Sequence, residues 1–238
     1  SKVKNLGLKI GESMDFLGVT VTRAGDGGLH HGQAGYIREA LEKNGMSQCN
    51  PVATPIETNQ PDPVIGDEAI APPPRKIKEA QVITGTLNWP VTHTRIDICH
   101  PVNRASRWMT RAPEFSDSVC KRVLRYLKGT EDHGLFYTYA ATGRLTTSSL
   151  AEYERDDIVL YSSDMSFAPS EEESHGCGIA TLAGGPIAWT GHRQSIMALS
   201  TAEGELVEAC LMYQRGKGIT STLRELHIHV KPVHVVDN

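Results

Sequence analysis

The chain has 238 residues, 39% hydrophobic and 22% charged, with a formal net charge of -4. That length supports one large domain or two smaller ones with cores of their own, and the composition excludes a disordered chain. The mild acidity does not announce nucleic-acid binding, so any such binding rests on local basic patches, and no apolar run is long enough to span a bilayer.

In chain order, Met14 to Val21 reads as a strand, Ala24 to Gly28 as a turn and Leu29 to Gly32 as the return of a hairpin. A helix is expected over Gly35 to Asn44, stopped by Gly45. Pro61, Pro63, Pro72, Pro73 and Pro74 then mark an extended connector. Helices follow over Lys76 to Leu87, Ile96 to Met109 and Glu114 to Lys128. In the last, Val119, Val123 and Leu127 recur at four-residue spacing between Pro113 and Gly129. Leu135 to Tyr139 reads as a strand.

A stretch rich in Thr, Ser and Gly and then in charge, roughly 141–157, separates this half from a second one. There Ile158 to Ser163 is a strand, and Gly176 to Leu182 with Pro186 to Thr190 form a hairpin about Ala183-Gly184-Gly185. Ser200 to about Gln214 is a helix. Ile228 to Val236 is a last strand, with a break expected at Pro232. The expected class is α/β (mixed α+β), a helical region followed by a mixed sheet with helical cover. Its divisions are 1–57, a Pro-rich linker over 58–75, a helical region over 76–140 and a sheet domain over 157–238.

The five cysteines are scattered and odd in number, without a C-x-x-C pair. They read as buried, reduced thiols of an intracellular protein. Ser1 follows no Met and Asn238 closes an apolar run, so both ends read as cuts through a longer polypeptide.

Three acids stand where they can converge. Asp164 follows the apolar run from Ile158, Asp237 follows Val233, Val235 and Val236, and Glu205 lies one turn inside the helix from Ser200. Ser200-Thr201-Ala202-Glu203 matches a capping box, which gives Glu203 a local task. Glu205 has none and borders an expected core-facing stripe of Leu206, Ala209, Cys210 and Tyr213. Grouped carboxylates repel one another, and hard divalent cations such as Mg2+ or Mn2+ relieve this. Taken singly, each Asp also suits a turn or cap. Arg104, Arg107, Lys121, Arg122, Arg125 and Lys128 form the most basic stretch. It reads either as a track for a nucleic-acid backbone or as a solvated helix face.

The residues also resemble, in order, the end of the copia-type (Pseudoviridae-like) reverse transcriptase polyprotein. Phe16-Leu17-Gly18-Val19 with Gln33 and Tyr36-Ile37 is similar to the hairpin and helix after the polymerase palm. Cys49-Asn50-Pro51-Val52-Ala53-Thr54-Pro55 resembles C-x-P-x-x-T-P. Gly85-Thr86-Leu87 with Thr94-Arg95-Ile96-Asp97-Ile98 resembles G-S-L…T-R-P-D-I, with Ile96 for Pro. Val123 to Thr130, followed by Gly134-Leu135, is a specific match. Ser163-Asp164-Met165-Ser166-Phe167-Ala168 resembles S-D-A-D-W-A. Pro186-Ile187-Ala188-Trp189, Arg193-Gln194 and Leu199 to Leu206 resemble P-I-S-W…R-Q…S-S-T-E-A-E-Y, and Val236-Asp237-Asn238 its closing D-N.

The resemblance implies the end of the palm, a thumb and connection region, and a ribonuclease H-like domain that stops short of its last helix. It implies metal-dependent cutting of the RNA strand of RNA–DNA hybrids, with Asp164, Glu205 and Asp237 as catalytic metal ligands. Arg193 and Gln194 join the basic stretch as nucleic-acid contacts, and the rest of the polyprotein is the expected partner. The polymerase Y-V-D-D motif is absent. Ser166 and Phe167 replace the second Asp and the Trp of S-D-A-D-W-A. A catalytically inactive nucleic-acid-binding remnant is the competing expectation.

Overall fold

A computed structural model describes residues 11–25, 27–58, 60–66, 70–137, 157–166, 174–194, 198 and 200–236. The chain divides into two compact units, one built from 13–22 and 30–135, the other mainly from 136 onward. Five α-helices and two four-stranded sheets make the α/β class plain among the described residues.

In the first unit the expected strand over Met14 to Val21 is two strands. β1 (Ser13–Phe16) turns back into β2 (Val19–Arg23) through Leu17 and Gly18, at φ 51° and 77°. Two consecutive left-handed residues make the tight turn that matches strand twist, and Gly18 supplies one of them at no steric cost. β3 (Leu29–Gly32) and β4 (Gly134–Tyr137) complete the sheet in the order β1-β2-β3-β4.

α1 (Ala34–Lys43), α2 (Pro74–His93), α3 (Cys99–Trp108) and α4 (Pro113–Gly129) supply the core. Ile37, Leu41, Leu87, Ile98, Val102, Val123, Leu124 and Leu127 are all buried there. Pro74 and Pro113 sit at helix starts, where the missing N–H costs nothing. α2 runs past its expected end and carries Pro90 in its last turn. A short 3-10 turn, Ile96–Ile98, separates it from α3.

That turn begins beside Arg95, 1% exposed and the largest fully buried side chain among the described residues. Its guanidinium donates to both Asp97 carboxylate oxygens, at 3.0 and 2.7 Å. It also donates to the Thr130 carbonyl at 2.9 Å and the Thr130 hydroxyl at 2.8 Å. Tyr126 donates its hydroxyl to Asp97 at 2.8 Å, and Arg95 lies 5.5 Å from the Tyr126 ring centre. Burial pushes the Asp97 carboxyl up, but the Arg95 hydrogen bonds and charge outweigh it and hold the carboxyl below its ordinary value. Next to this knot, buried Thr94 donates to buried Gln33 at 2.7 Å.

The basic stretch of α3 and α4 has internal partners. Arg104 donates to Asp62 at 2.6 Å and to the Gln60 carbonyl, and Arg107 reaches Asp62 at 3.4 Å. Arg122 meets Thr54 at 3.1 Å and Glu57 at 3.9 Å, and Arg125 donates to the Asn50 carbonyl at 2.8 Å. Asn50, Thr54, Glu57, Gln60 and Asp62 are therefore tied to the two helices by arginines.

In the second unit β5 (Ile158–Ser166), β6 (His175–Leu182), β7 (Gly185–Arg193) and β8 (Lys231–Val236) pair in the order β7-β6-β5-β8. The first three are antiparallel neighbours, whereas β8 runs parallel to β5. Ala183 and Gly184 turn β6 into β7 at φ 52° and 77°. Pro232 does not break β8, because β8 is an edge strand and only one side of it must pair.

α5 (Thr201–Glu225) is 25 residues long and runs well past Gln214. Gly216 does not stop it. A Cβ there would stand 2.8 Å from the Tyr161 ring, so the glycine is what lets the helix settle on the sheet. Tyr161 then donates to the Gly216 carbonyl at 2.9 Å. Val159, Tyr161, Ala180 and Met212 form the core between sheet and helix. No helix among the described residues is long and apolar enough to cross a membrane. None of the five cysteines forms a disulfide, but only Cys120 is buried; Cys177 and Cys210 are exposed, contrary to expectation, because Cys177 falls on the strand face away from α5 and Cys210 on the outer side of α5.

Two outcomes follow for the first unit. Arg95→Leu removes one partner of a buried ion pair and is expected to cost about 3 kcal/mol in urea unfolding. Arg95→Lys should recover little, since a single ammonium does not replace the fork. Asp62→Asn is expected to speed proteolytic cutting within 57–75 about tenfold, the loss of a charge-assisted bond, while Lys121→Ala leaves it unchanged.

Candidate functional site

The second unit brings two of the three candidate carboxylates toward one end of its sheet but on opposite faces: Asp164 pairs with Cys177 on the face away from α5, and Glu205 lies on α5. Asp164 lies near the end of β5 and is exposed. Strand alternation puts Ser163 and Met165 on the buried side and Asp164 on the other. Its Oδ1 accepts from the Met165 backbone N–H at 2.7 Å. Gly204 packs on the Met165 methyl and Gly216 on Tyr161, so α5 runs back along β5 with its first turns over the end that carries Asp164. Glu205, half-buried, sits in those turns. β8 reaches the same end: its parallel pairing with β5 is described as far as Ser163 with Val236, one residue short of Asp164 and of Asp237. Asp237 itself lies outside the described residues, as does Phe167.

Asp164 and Glu205 share no hydrogen bond or ion pair among the described residues, and no three His, Cys, Asp or Glu side chains there are grouped as a metal cage. What the two offer is hard oxygen donors open to water, the donor type that Mg2+ or Mn2+ takes.

The helix start behaves as a cap: the Ser200 hydroxyl accepts from the Glu203 backbone N–H at 3.2 Å. The expected core-facing stripe is wrong, however. Leu206 is 65% exposed, Tyr213 is 52% exposed and Cys210 is exposed. The row against the sheet is Gly204, Glu208, Met212 and Gly216. The reason is distance. A Cβ on Gly204 would come within 2.0 Å of Met165, and one on Gly178 within 2.6 Å of the Met212 sulfur. The row alternates glycines at its ends with Glu208 and Met212 between them, and the glycines take the large side chains Met165 and Tyr161 from the sheet. Glu205 adjoins this row.

Sequence reasoning missed Glu208. It is 1% exposed, with its carboxylate against Gly176 and 3.3 Å from His192 Nε2. Desolvation pushes its carboxyl above the ordinary value, opposed by His192, Gln194 and Arg215. The available signal was the four-residue row of small and flexible residues, in which a glutamate stands out.

The expected nucleic-acid contacts divide. Arg104 is buried on Asp62, Arg107 reaches the same carboxylate, and Arg122 and Arg125 bind Thr54, Glu57 and the Asn50 carbonyl. Lys121 pairs with Asp117 at 2.7 Å and Lys128 with Glu131 at 3.0 Å. Gln194 is 4% exposed, and its amide donates inward to the Gly204 carbonyl at 2.8 Å, so it is not displayed on the surface. Arg193, beside it, is exposed at the end of β7.

Comparison with known proteins yields relatives along nearly the whole chain. It is 32% identical over 227 residues to the retrovirus-related Pol polyprotein from transposon RE2 of Arabidopsis thaliana. It is 30% identical over 227 residues to that from transposon RE1 of the same plant. Both matches cover 94% of this chain. The Pol polyprotein from transposon TNT 1-94 of Nicotiana tabacum is 26% identical over 233 residues, 93% of the chain. The chain spans 14% of the length of the two Arabidopsis polyproteins and 16% of the tobacco one. No family model and no solved structure matches it. With the ordered motifs and relatives in agreement from end to end, the chain belongs to the family of retrovirus-related Pol polyproteins of copia-type transposons.

Proposed function

We propose that the second unit is the ribonuclease H part of a retrotransposon reverse transcriptase and hydrolyses the RNA strand of RNA–DNA hybrids. The observation that carries the reading is the β5–α5–β8 arrangement. A parallel strand pair bridged by a helix gathers the end of β5, the first turns of α5 and the end of the described part of β8 at one edge of the sheet. Asp164 and Glu205 stand on two of these elements, and Asp237 follows the third in sequence.

Asp164, Glu205 and Asp237 would hold Mg2+ or Mn2+, which when bound supplies charge neutralisation and an acidified water for phosphodiester hydrolysis. The exposed Asp164 carboxylate keeps its second oxygen clear of the Met165 N–H, open to a ligand. Glu205 is held by the seat of Gly204 on Met165. Arg193, exposed on β7, meets the phosphate backbone. Arg104 and Arg125 stay with the connector. The competing reading, a catalytically inactive remnant of the polyprotein, is favoured by one observation: most of the basic stretch is already engaged internally.

A labelled RNA–DNA hybrid incubated with the purified chain and Mg2+ decides between them. Cleavage is expected, with Asp164→Asn and Glu205→Gln each slowing it by at least about 100-fold, as loss of a metal ligand exceeds loss of a supporting group. Equal, negligible cutting by the unchanged chain and Asp164→Asn leaves the remnant reading standing instead.

A further inference from the structure

The second unit contains a buried polar cluster that the proposed site does not use. Among the described residues, both oxygens of Glu208, both ring nitrogens of His192 and the side-chain oxygen of Gln194 are buried without a well-aligned hydrogen bond. These atoms belong to one neighbourhood. His192 pairs with Gly176 across β6 and β7, and its Nε2 stands 3.3 Å from Glu208 Oε2. A Cβ on residue 176 would fall 1.8 Å from that same oxygen, so the space for the carboxylate exists because residue 176 is glycine. A buried, poorly partnered carboxylate is costly, and a hydrophobic residue of similar size would pack there without the cost.

The cluster leads to Glu205. The Gln194 amide donates to the carbonyl of Gly204, the residue before Glu205, at 2.8 Å. Gln194 also ties its own backbone N–H to the Ser174 carbonyl at 2.8 Å, which anchors it to the sheet. Gly204 in turn rests on the methyl of Met165, the residue after Asp164. Glu208 lies three residues, nearly one turn, from Glu205.

We infer that Glu208, with His192 and Gln194, is a proton-controlled positioning residue for Glu205. With a proton, the carboxyl sits in its pocket as a neutral group, and the first turns of α5 rest fully on Met165. Without it, the charge draws His192 and the Gln194 amide toward itself, and the hold on the Gly204 carbonyl loosens. The proton passes between the carboxyl and solvent, and no other bond changes. The groups facing the carboxylate are His192 and Gln194 from β7 and Arg215 from α5 itself; Gly176 from β6 brings no charge.

The sign of the pH effect is set by burial, which raises the Glu208 carboxyl above its value in the unfolded chain. The folded state then holds the proton more tightly than the unfolded one. The stability of the seat is full below the ordinary carboxylate value and falls as pH rises through the raised one.

The positioning role for chemistry rests on the nuclease reading; the seat itself does not. The test therefore follows the Met165 methyl by NMR in the full chain across a pH titration without metal. The methyl resonance is expected to move with pH and to stop moving in Glu208→Gln, while Asp164→Asn leaves the movement in place. Gly176→Ala, which crowds the carboxylate from the opposite wall, is expected to shift the same resonance, and Glu208→Ala in that background to restore it. In the hybrid assay, Glu208→Gln should abolish the loss of activity that accompanies the rise of pH through the raised carboxyl value. A methyl that does not titrate, or one that titrates unchanged in Glu208→Gln, overturns the inference. Titration intact with no cleavage at any pH retires the nuclease reading and leaves the Glu208 seat standing.

Discussion

The first unit depends on one buried guanidinium. Arg95 is almost wholly out of water, and a charge so placed is tolerated only when its donors are all engaged. Asp97 takes two of its hydrogen bonds and Thr130 takes two more. The start of α3 and the end of α4 are thereby fixed to each other, and β4 begins four residues beyond Thr130. Three stretches that mark the chain as a copia-type relative meet here: Thr94 to Asp97, Tyr126 to Thr130, and Gln33 through its bond to Thr94. The motifs that read as labels of ancestry are thus the two sides of one polar knot. Ile96 in place of proline does no harm to it, because that residue only opens the 3-10 turn.

The second unit is held by closeness instead of by charge. Gly204 and Gly216 on the helix, with Gly176 and Gly178 on the sheet, leave room between α5 and the sheet for Met165, Tyr161, Glu208 and Met212. This close approach sets where Glu205 stands. Among the described residues it also holds a conflict in the packing, a carboxylate at position 208 in a row otherwise made of glycine and methionine. A local conflict of this kind in an otherwise consistent structure points to function more often than does a well-satisfied core.

Charge was the part of the sequence that misled most. Arg104, Arg107, Arg122 and Arg125 look like a track for phosphate when read along a helix. In three dimensions they face Asp62, Glu57, Thr54 and the Asn50 carbonyl, residues 42 to 75 positions away. A helical wheel shows which side a cation occupies but not what lies across from it. Gln194 makes the same point in reverse. As a polar residue beside Arg193 it looked like a surface contact, yet it is spent on a backbone carbonyl inside.

The sequence by itself determined the α/β class, the helices with proline at their starts, the antiparallel β6–β7 hairpin and the family. Each of these follows from short-range physics, namely dihedral limits, capping and hydrophobic period, or from ordered motifs. Tertiary structure alone decided the Leu17-Gly18 hairpin, the continuation of α5 through Gly216, the sheet-facing row of that helix and the burial of Glu208. Gly18 supplies a left-handed residue to a local turn, whereas Gly216 and Gly176 serve long-range approaches that no local pattern encodes. The period of large apolar residues names a face only when those residues fill the gap between two elements, and in α5 the gap is filled by Glu208 and Met212 set between glycines.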